Sequence, residues 1–234
     1  MSVAENLFLV KQRIAAAARR VGRDPAEVRL VAVSKTVPVE RLREAVAAGH
    51  RLFGENYLQE ALPKIAALGG EVSWHFVGAL QTRKAKGVVG VFDLIHSVDR
   101  PKLARALEKA AAQRGLIQKI LIQVNLAGEA TKSGVAPEEA EALLREIAQL
   151  PHLKVVGLMT MPPWFDEPER VRPYFRALRE LRDHLQKLGL TDGPLPELSM
   201  GMTGDFEAAV EEGATLVRIG TAVFGPRPDA CFRA

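Results

Sequence analysis

Cysteine is nearly absent from this sequence of 234 residues, which contains only Cys231. A single cysteine excludes an intramolecular disulfide framework and a thiolate metal cluster within one chain. A chain of this length buries roughly 70% of its unfolded surface and needs neither kind of cross-link to fold. The cysteine content fits a reducing cytosol, so we expect a cytoplasmic protein without a bound metal.

Long apolar segments, aromatic residues and blocks of like charge are scarce too. The chain does not begin with a basic segment before an apolar one, and no stretch of about 18 apolar residues occurs, so we expect neither a signal peptide nor a membrane span. Aromatic residues make up 6% of the chain, and its 32 basic and 28 acidic residues interleave. A nucleic-acid-binding face needs a basic stripe with aromatic side chains between the charges, so we expect no nucleic-acid partner.

The sequence does contain a regular alternation of helical patterns and short apolar runs. Apolar side chains at spacings of three and four predict an N-terminal helix over 3–21, and short apolar runs predict buried strands. Strands are predicted at 30–33, 52–54, 74–78, 93–96, 119–125, 155–159, 197–199 and 216–220. Further helices are predicted at 38–48, 57–68, 82–89, 100–113, 137–150 and 206–212. A long helix ends near residue 188, and its start is left open because Pro173 would disrupt a helix interior.

Eight strands separated by helices predict parallel strands joined by helical crossovers. The count of eight favours a closed (β/α)8 barrel, the TIM-barrel fold, which has about 250 residues. We therefore expect an α/β protein with one TIM-barrel domain over 1–234 and an extra N-terminal helix. The competing fold is an open doubly wound sheet, which loses support because no G-x-G-x-x-G motif follows the first strand.

Residues at the carboxyl ends of the strands are the candidates for chemistry in such a barrel. Lys35 directly follows the first strand. A lysine at a barrel mouth, partly removed from water, is nucleophilic towards carbonyl carbons. The ordinary alternative is a lysine whose side chain simply extends into solvent beyond the strand.

The loops after strands seven and eight are rich in glycine and hydroxyl groups, at 199–205 and 220–221. In barrels these two loops often bind phosphate, since backbone N–H groups, hydroxyls and a helix N-terminus favour an anion. Turn and capping roles are the alternative. A phosphate site together with a nucleophilic lysine indicates either pyridoxal phosphate or a sugar phosphate in an aldolase-type site.

Five ordered motifs also resemble a known family. They are Val33-Ser34-Lys35-Thr36, residues 53–60 (Phe-Gly-Glu-Asn-Tyr-Leu-Gln-Glu), residues 74–78 with Leu80-Gln81, residues 198–203 with Asp205, and residues 217–221 with Phe224-Gly225. They are similar to motifs of the pyridoxal-phosphate-binding proteins of the YggS/PROSC type, the pyridoxal phosphate homeostasis proteins. The resemblance covers nearly the whole chain and implies a barrel like the N-terminal domain of alanine racemase.

The resemblance implies a role for each site residue. Lys35 would form the internal aldimine, and Arg218 would face the pyridine nitrogen. Asn56 is a candidate for a position near the ring or, equally, for a cap of the next helix. Phosphate contacts are implied for Ser199, Gly201, Met202, Thr203, Gly220 and Thr221. Since a guanidinium can only donate hydrogen bonds, Arg218 would leave the ring nitrogen unprotonated and the ring a weaker electron sink.

Two departures from the family pattern and two secondary candidates complete the site. Arg83 stands where the family commonly has asparagine, and Thr203 stands where it often has serine, which keeps a hydroxyl. His75, within the third strand, is a candidate cofactor contact or a hydrogen-bonded structural histidine. Lys132, in the loop after the fifth strand, is a candidate second phosphate contact or a solvated lysine.

Three functions compete at this point: a protein that stores, buffers or delivers pyridoxal phosphate, an amino-acid racemase that uses it, and a Schiff-base aldolase without a cofactor. A racemase needs a second base opposite Lys35, and the sequence offers only Tyr57 and Tyr174 as tyrosines. A barrel with its leading helix also takes up the whole length. We therefore expect a monomeric binding protein without robust turnover, with apo-enzymes that use the cofactor as its recipients.

Overall fold

Eight parallel strands close into a barrel in the computed structural model of this protein, which describes residues 1–129 and 132–226. The strands are β1 (Arg29–Val33), β2 (Leu52–Glu55), β3 (Ser73–Phe76), β4 (Leu94–Val98), β5 (Gln118–Val124), β6 (Leu153–Thr160), β7 (Glu197–Ser199) and β8 (Leu216–Ile219). Each strand pairs with the next along the chain, and β8 pairs with β1 in parallel, from Arg29 opposite Leu216 to Ala32 opposite Ile219. The predicted (β/α)8 barrel is confirmed, and the open sheet is excluded.

Helices surround the barrel and follow the strands. They are α1 (Val3–Arg20), α2 (Val39–Ala47), α3 (Leu58–Leu68), α4 (Ala85–Val88), α5 (Pro101–Arg114), α6 (Ala140–Ile147), α7 (Arg172–Lys187), α8 (Phe206–Glu211) and α9 (Thr221–Phe224). The extra N-terminal helix α1 begins in a capping box, in which Ser2 and Glu5 accept each other's backbone N–H. It packs its apolar face against α8 and α9.

The structure differs from the predicted helices mainly at their ends. The predicted helices 82–89 and 137–150 each begin with a 3-10 turn, at Thr82–Lys84 and Pro137–Glu139. Pro173 lies in the first turn of α7, where no intrahelical N–H donor is needed, so it does not break the helix. The short helix α9 was not predicted. Residues 130, 131 and 227–234 lie outside the described residues, Cys231 among them, and the extension of one domain to residue 234 stays a prediction.

Two apolar cores hold the barrel, one between strands and helices and a smaller one inside the ring of strands. The inner core consists of Val31, Val77, Leu94, Leu121, Val156, Met159 and Leu216. At Gly157 on β6 the neighbouring strand β7 comes so close that a Cβ atom would lie 1.9 Å from the Glu197 carbonyl oxygen. Among the described residues, no helix is long and apolar enough to cross a membrane.

Candidate functional site

A cavity of about 490 Å³ opens at the carboxyl ends of the strands. This volume lies in the range of pockets that bind small molecules, about 300–1,000 Å³. Its lining consists of Val33, Lys35, Asn56, Val77, Met161, Trp164, Phe165, Pro168, Val171, Met202, Thr203, Gly204, Asp205, Arg218, Gly220 and Thr221. The structure thus brings Lys35, Asn56, Arg218 and both predicted phosphate loops to one cavity.

Lys35 follows β1 at a sharp change of backbone direction. Thr36 has a φ of 62°, in the left-handed region that β-branched residues rarely adopt. Its N–H donates to the Glu60 carboxylate, and its hydroxyl donates to the Lys35 carbonyl oxygen at 2.6 Å. These contacts stabilise the strained turn and fix where the half-buried Lys35 leaves the strand.

A buried ion pair lies directly behind this turn. Lys64 Nζ donates to Glu55 Oε1 at 2.8 Å and to the Ser34 carbonyl oxygen at 2.7 Å, while the Ser34 hydroxyl donates to Glu55 Oε1 at 2.6 Å. Within the described residues, Glu55 Oε2 has no hydrogen-bond partner. Burial raises the pKa of Glu55, and the hydrogen bonds from Lys64 and Ser34 lower it in part. Sequence reasoning missed this pair, although Ser34 and Glu55 stand inside the motifs.

The loop after β7 wraps around the Asp205 carboxylate. Asp205 Oδ1 accepts the Met202 N–H at 2.6 Å, and burial raises the pKa of this carboxyl. Gly201 has a φ of 92°, and a Cβ there would lie 2.6 Å from the Ala209 Cβ, so only glycine fits. Met202 and Thr203 line the cavity, whereas Gly201 is not among the lining residues of the described chain.

The end of β8, the strand next to β7, forms another part of the cavity wall. Gly220 and Thr221 line the cavity, and a Cβ at Gly220 would lie 3.2 Å from the Val33 carbonyl oxygen of β1. A side chain at Gly220 would crowd this contact between the two strand ends. Glycine at this position therefore lets the ends of β1 and β8 lie close together.

Arg218 on β8 is buried, yet it lines the cavity. Its Nη1 donates to Ser199 Oγ at 2.5 Å, and its Nη2 donates to the Thr160 carbonyl oxygen at 2.8 Å. Burial lowers the pKa of Arg218 to about 10, and Asp205 opposes this shift, so the guanidinium is charged at neutral pH. Ser199 is fully buried below the cavity and does not line it, so its predicted phosphate contact stays a prediction.

Two histidines continue this contact across the barrel. His96 Nδ1 lies 2.9 Å from Ser199 Oγ, and His96 Nε2 lies 3.0 Å from His75 Nδ1. Burial lowers the pKa of His75 to about 4 and that of His96 well below its usual value. Sequence analysis singled out His75 and missed His96.

Two other residues singled out from the sequence, Lys132 and Arg83, lie away from the cavity lining. Lys132 Nζ donates to Glu129 Oε1 at 2.9 Å and to the Pro162 carbonyl oxygen at 3.2 Å. Arg83 is exposed and donates to Gln81 Oε1 at 3.0 Å.

In the described part of the chain, no three His, Cys, Asp or Glu side chains are grouped to hold a metal ion.

Comparison with known proteins agrees with the motifs. A model of the family described as alanine racemase, N-terminal domain, matches residues 6–228. The pyridoxal phosphate homeostasis protein of Aquifex aeolicus is 50% identical over 228 residues, which cover 97% of this chain and 99% of the relative. The structure of PipY of Synechococcus elongatus PCC7942 with pyridoxal phosphate bound is 38% identical, with a TM-score of 0.83 over 96% of this chain and 100% of that one.

A more distant structure extends the comparison of the fold. Alanine racemase of Corynebacterium glutamicum superposes with a TM-score of 0.72 at 22% identity, and the match covers 99% of this chain and 63% of the racemase. At this identity the likeness concerns the barrel alone. The near-complete match at 50% identity confirms the resemblance seen in the motifs. The chain belongs to the family of pyridoxal phosphate homeostasis proteins, whose barrel is of the alanine racemase N-terminal type.

Proposed function

We propose that this protein binds pyridoxal 5′-phosphate in the cavity at the barrel mouth, with Lys35 as its covalent anchor, and takes part in pyridoxal phosphate homeostasis. The observation that supports this most directly is the convergence of Lys35, Arg218 and the two predicted phosphate loops on one cavity. The names of its relatives support it as well, and PipY is a relative whose structure contains the cofactor.

The chemistry of the cavity fits this group. The cofactor has an aldehyde, a pyridine nitrogen and a phosphate, and each needs a different partner. Lys35 supplies an amine, Arg218 a buried donor, and Thr203 and Thr221 supply hydroxyls beside close-lying backbone. The cavity of about 490 Å³ accommodates a single substituted ring with a phosphate.

Each residue has a distinct task in this proposal. When bound, the cofactor supplies an aldehyde that a neutral amine can attack. Thr36 and Glu60 fix the backbone from which Lys35 reaches the cavity. Arg218 is charged at neutral pH and has no proton acceptor, so it would donate to the ring nitrogen and keep that nitrogen unprotonated. Since an unprotonated ring withdraws electrons weakly, this arrangement favours holding the cofactor over amino-acid chemistry.

The tyrosines support binding without robust turnover. A racemase needs a second base on the face opposite the lysine. Tyr57 is 56% exposed, and Tyr174 stacks on Phe165 with 6.0 Å between the ring centroids. Neither tyrosine is among the lining residues found in the described chain. We therefore infer storage, buffering or delivery of the cofactor to apo-enzymes. In the same proposal, the protein is monomeric and cytoplasmic.

The visible spectrum tests this function. We expect the protein to turn yellow with pyridoxal phosphate, and borohydride to fix the cofactor to the peptide that contains Lys35, as identified by mass spectrometry. Lys35→Ala should give no reduced adduct, whereas Lys84→Ala, which removes a lysine bonded to Gln59, should behave as wild type. An equal adduct in Lys35→Ala would refute the assignment. Amino-acid turnover above that of the free cofactor, lost in Lys35→Ala, would establish the racemase-type alternative.

A further inference from the structure

Four polar side chains form a continuous hydrogen-bonded chain through the barrel interior. It runs from Arg218 on β8 to Ser199 on β7, then to His96 on β4 and His75 on β3. Strands β4 and β7 are not neighbours in the barrel, so the contact between His96 and Ser199 crosses its interior. All four side chains are at most 4% exposed, so water does not compete for these bonds.

Arginine gives this chain of hydrogen bonds a direction. A guanidinium can only donate, so Ser199 Oγ accepts from Arg218. In the described structure, the one acceptor within hydrogen-bond distance of the Ser199 hydroxyl proton is His96 Nδ1. A buried hydroxyl proton without an acceptor would cost about 1–3 kcal/mol, so the Ser199 hydroxyl donates to His96.

The direction of the Ser199 hydrogen bond determines which ring nitrogen carries the proton in both histidines. A neutral histidine whose Nδ1 accepts carries its proton on Nε2. His96 Nε2–H therefore donates to His75 Nδ1, and His75 in turn carries its proton on Nε2. Reversing either histidine would place two donors, or two acceptors, against each other.

We propose that Ser199, His96 and His75 form a one-directional relay that positions the Arg218 guanidinium beneath the cavity, with both histidines neutral in the Nε2–H tautomer. Its link to the cofactor rests on the proposed function, whereas the relay itself does not. The three are positioning residues that act through Arg218. Because each hydrogen bond polarises the next, the relay makes Ser199 Oγ a stronger acceptor for the buried cation.

The charges around the relay keep both histidines neutral. His96 faces Arg218, Arg29 and His75. His75 faces Arg29 and Lys119, and Asp93 is the opposing charge. Burial and these cations lower the pKa of both imidazoles, so neither is protonated near neutral pH. The relay thus solvates the guanidinium through neutral groups and leaves its positive charge available to the cavity.

The first test needs no substitution and no cofactor. Long-range ¹H–¹⁵N correlation spectra of the cofactor-free protein distinguish protonated from unprotonated imidazole nitrogens. We expect a protonated Nε2 and an unprotonated Nδ1 for both His75 and His96 from pH 6 to 8. An Nδ1–H tautomer, a rapid mixture of the two forms or a charged ring at either histidine would overturn the relay, even if the protein still binds the cofactor.

The second test removes the Ser199 hydroxyl, which links Arg218 to His96. Ser199→Ala should abolish the single tautomer of His96 and weaken pyridoxal phosphate binding about tenfold, the effect of losing one hydrogen bond to a charged group. Ser199→Thr retains the hydroxyl and should restore both properties. The matched control is Ser97→Ala on β4, which removes a buried hydroxyl that has no partner in the described chain. Unchanged affinity and an unchanged His96 tautomer in Ser199→Ala would refute the positioning role.

Discussion

The buried ion pair behind the Lys35 turn provides the sharpest test of how the site is supported. Lys64→Met keeps the length of the side chain and removes its charge. It would leave the fully buried Glu55 with one hydrogen bond, from Ser34, in place of two. Breaking a buried pair from one side costs about 3–5 kcal/mol, because the remaining charge is uncompensated.

Protonation sets an upper limit to this loss. Glu55 has an ordinary pKa of 4.5, and protonating such a carboxyl at pH 7 costs about 3 kcal/mol, at 1.36 kcal/mol for each pH unit. We therefore expect the Lys64→Met variant to lose about 3 kcal/mol at pH 7, with Glu55 protonated in the folded state. Burial raises the pKa of Glu55 in the folded protein above its ordinary value of 4.5. Protonation of Glu55 therefore stabilises the fold fully below pH 4.5, and this stabilisation is lost as pH rises through the raised pKa. Loss of the Lys64 charge moves that pKa further up.

Urea unfolding at pH 5, 6 and 7, followed by tryptophan fluorescence, measures this dependence. The difference between wild type and Lys64→Met should grow from pH 5 to pH 7, by at most about 1.4 kcal/mol for each pH unit, because the folded-state pKa of Glu55 is higher in the variant. The double variant Glu55→Gln/Lys64→Met has no carboxyl to protonate and should lose this slope. Lys84→Met should match wild type, since the hydrogen bond of the Lys84 side chain in the described residues goes to the Gln59 side chain. A loss in Lys64→Met that is the same at pH 5 and pH 7 would refute the reasoning.

Two further predictions concern the cavity walls. A Cβ at Gly78 would lie 2.4 Å from the Asn56 carbonyl oxygen, so Gly78→Ala should lower stability by about 1–3 kcal/mol in thermal unfolding and weaken cofactor binding. Gly70→Ala, where a Cβ meets nothing within 4 Å, is its control, and equal behaviour of the two would contradict the packing argument. Asp205→Asn removes a negative charge from the cavity lining, so pyridoxal phosphate should bind several-fold tighter, about 1 kcal/mol for one like charge. Pyridoxal without phosphate should bind unchanged, and an equal gain for both ligands would contradict the charge argument.

The barrel was predictable from local pattern because each unit repeats the same signal. Runs such as 119–125 alternate with amphipathic stretches, and parallel closure follows from the count of eight. The ends of the helices were less predictable, since an α-helix and a 3-10 turn share the same apolar spacing over one turn. Pro173 illustrates the difficulty: its meaning depends on whether it stands in the first turn of a helix or in its interior, which the sequence alone did not settle.

The sequence likewise predicted one part of the candidate site and missed another. Lys35 and the loop residues stand at strand ends, where topology alone brings them together. His96 gave no such signal, because a single histidine within an apolar strand has no spacing partner. Its contact with Ser199 joins residues 103 positions apart and exists only because the barrel closes. The pair of Lys64 with Glu55 was hidden in the same way, because Glu55 lies nine residues earlier on a strand and Lys64 on the following helix.

Arg218 acts both on the cavity and on the barrel interior, because its guanidinium only donates hydrogen bonds. A guanidinium that cannot accept a hydrogen bond requires an acceptor at the cavity and another in the barrel interior. In the interior, Ser199 and the Thr160 carbonyl oxygen provide neutral acceptors, and no carboxylate in the described chain bonds to Arg218. A carboxylate there would offset the charge that the proposed function needs at the ring nitrogen. The replacement Arg218→Met would therefore remove the ring-nitrogen donor and leave the Ser199 lone pair unpaired, so the histidine tautomers and cofactor affinity should change together.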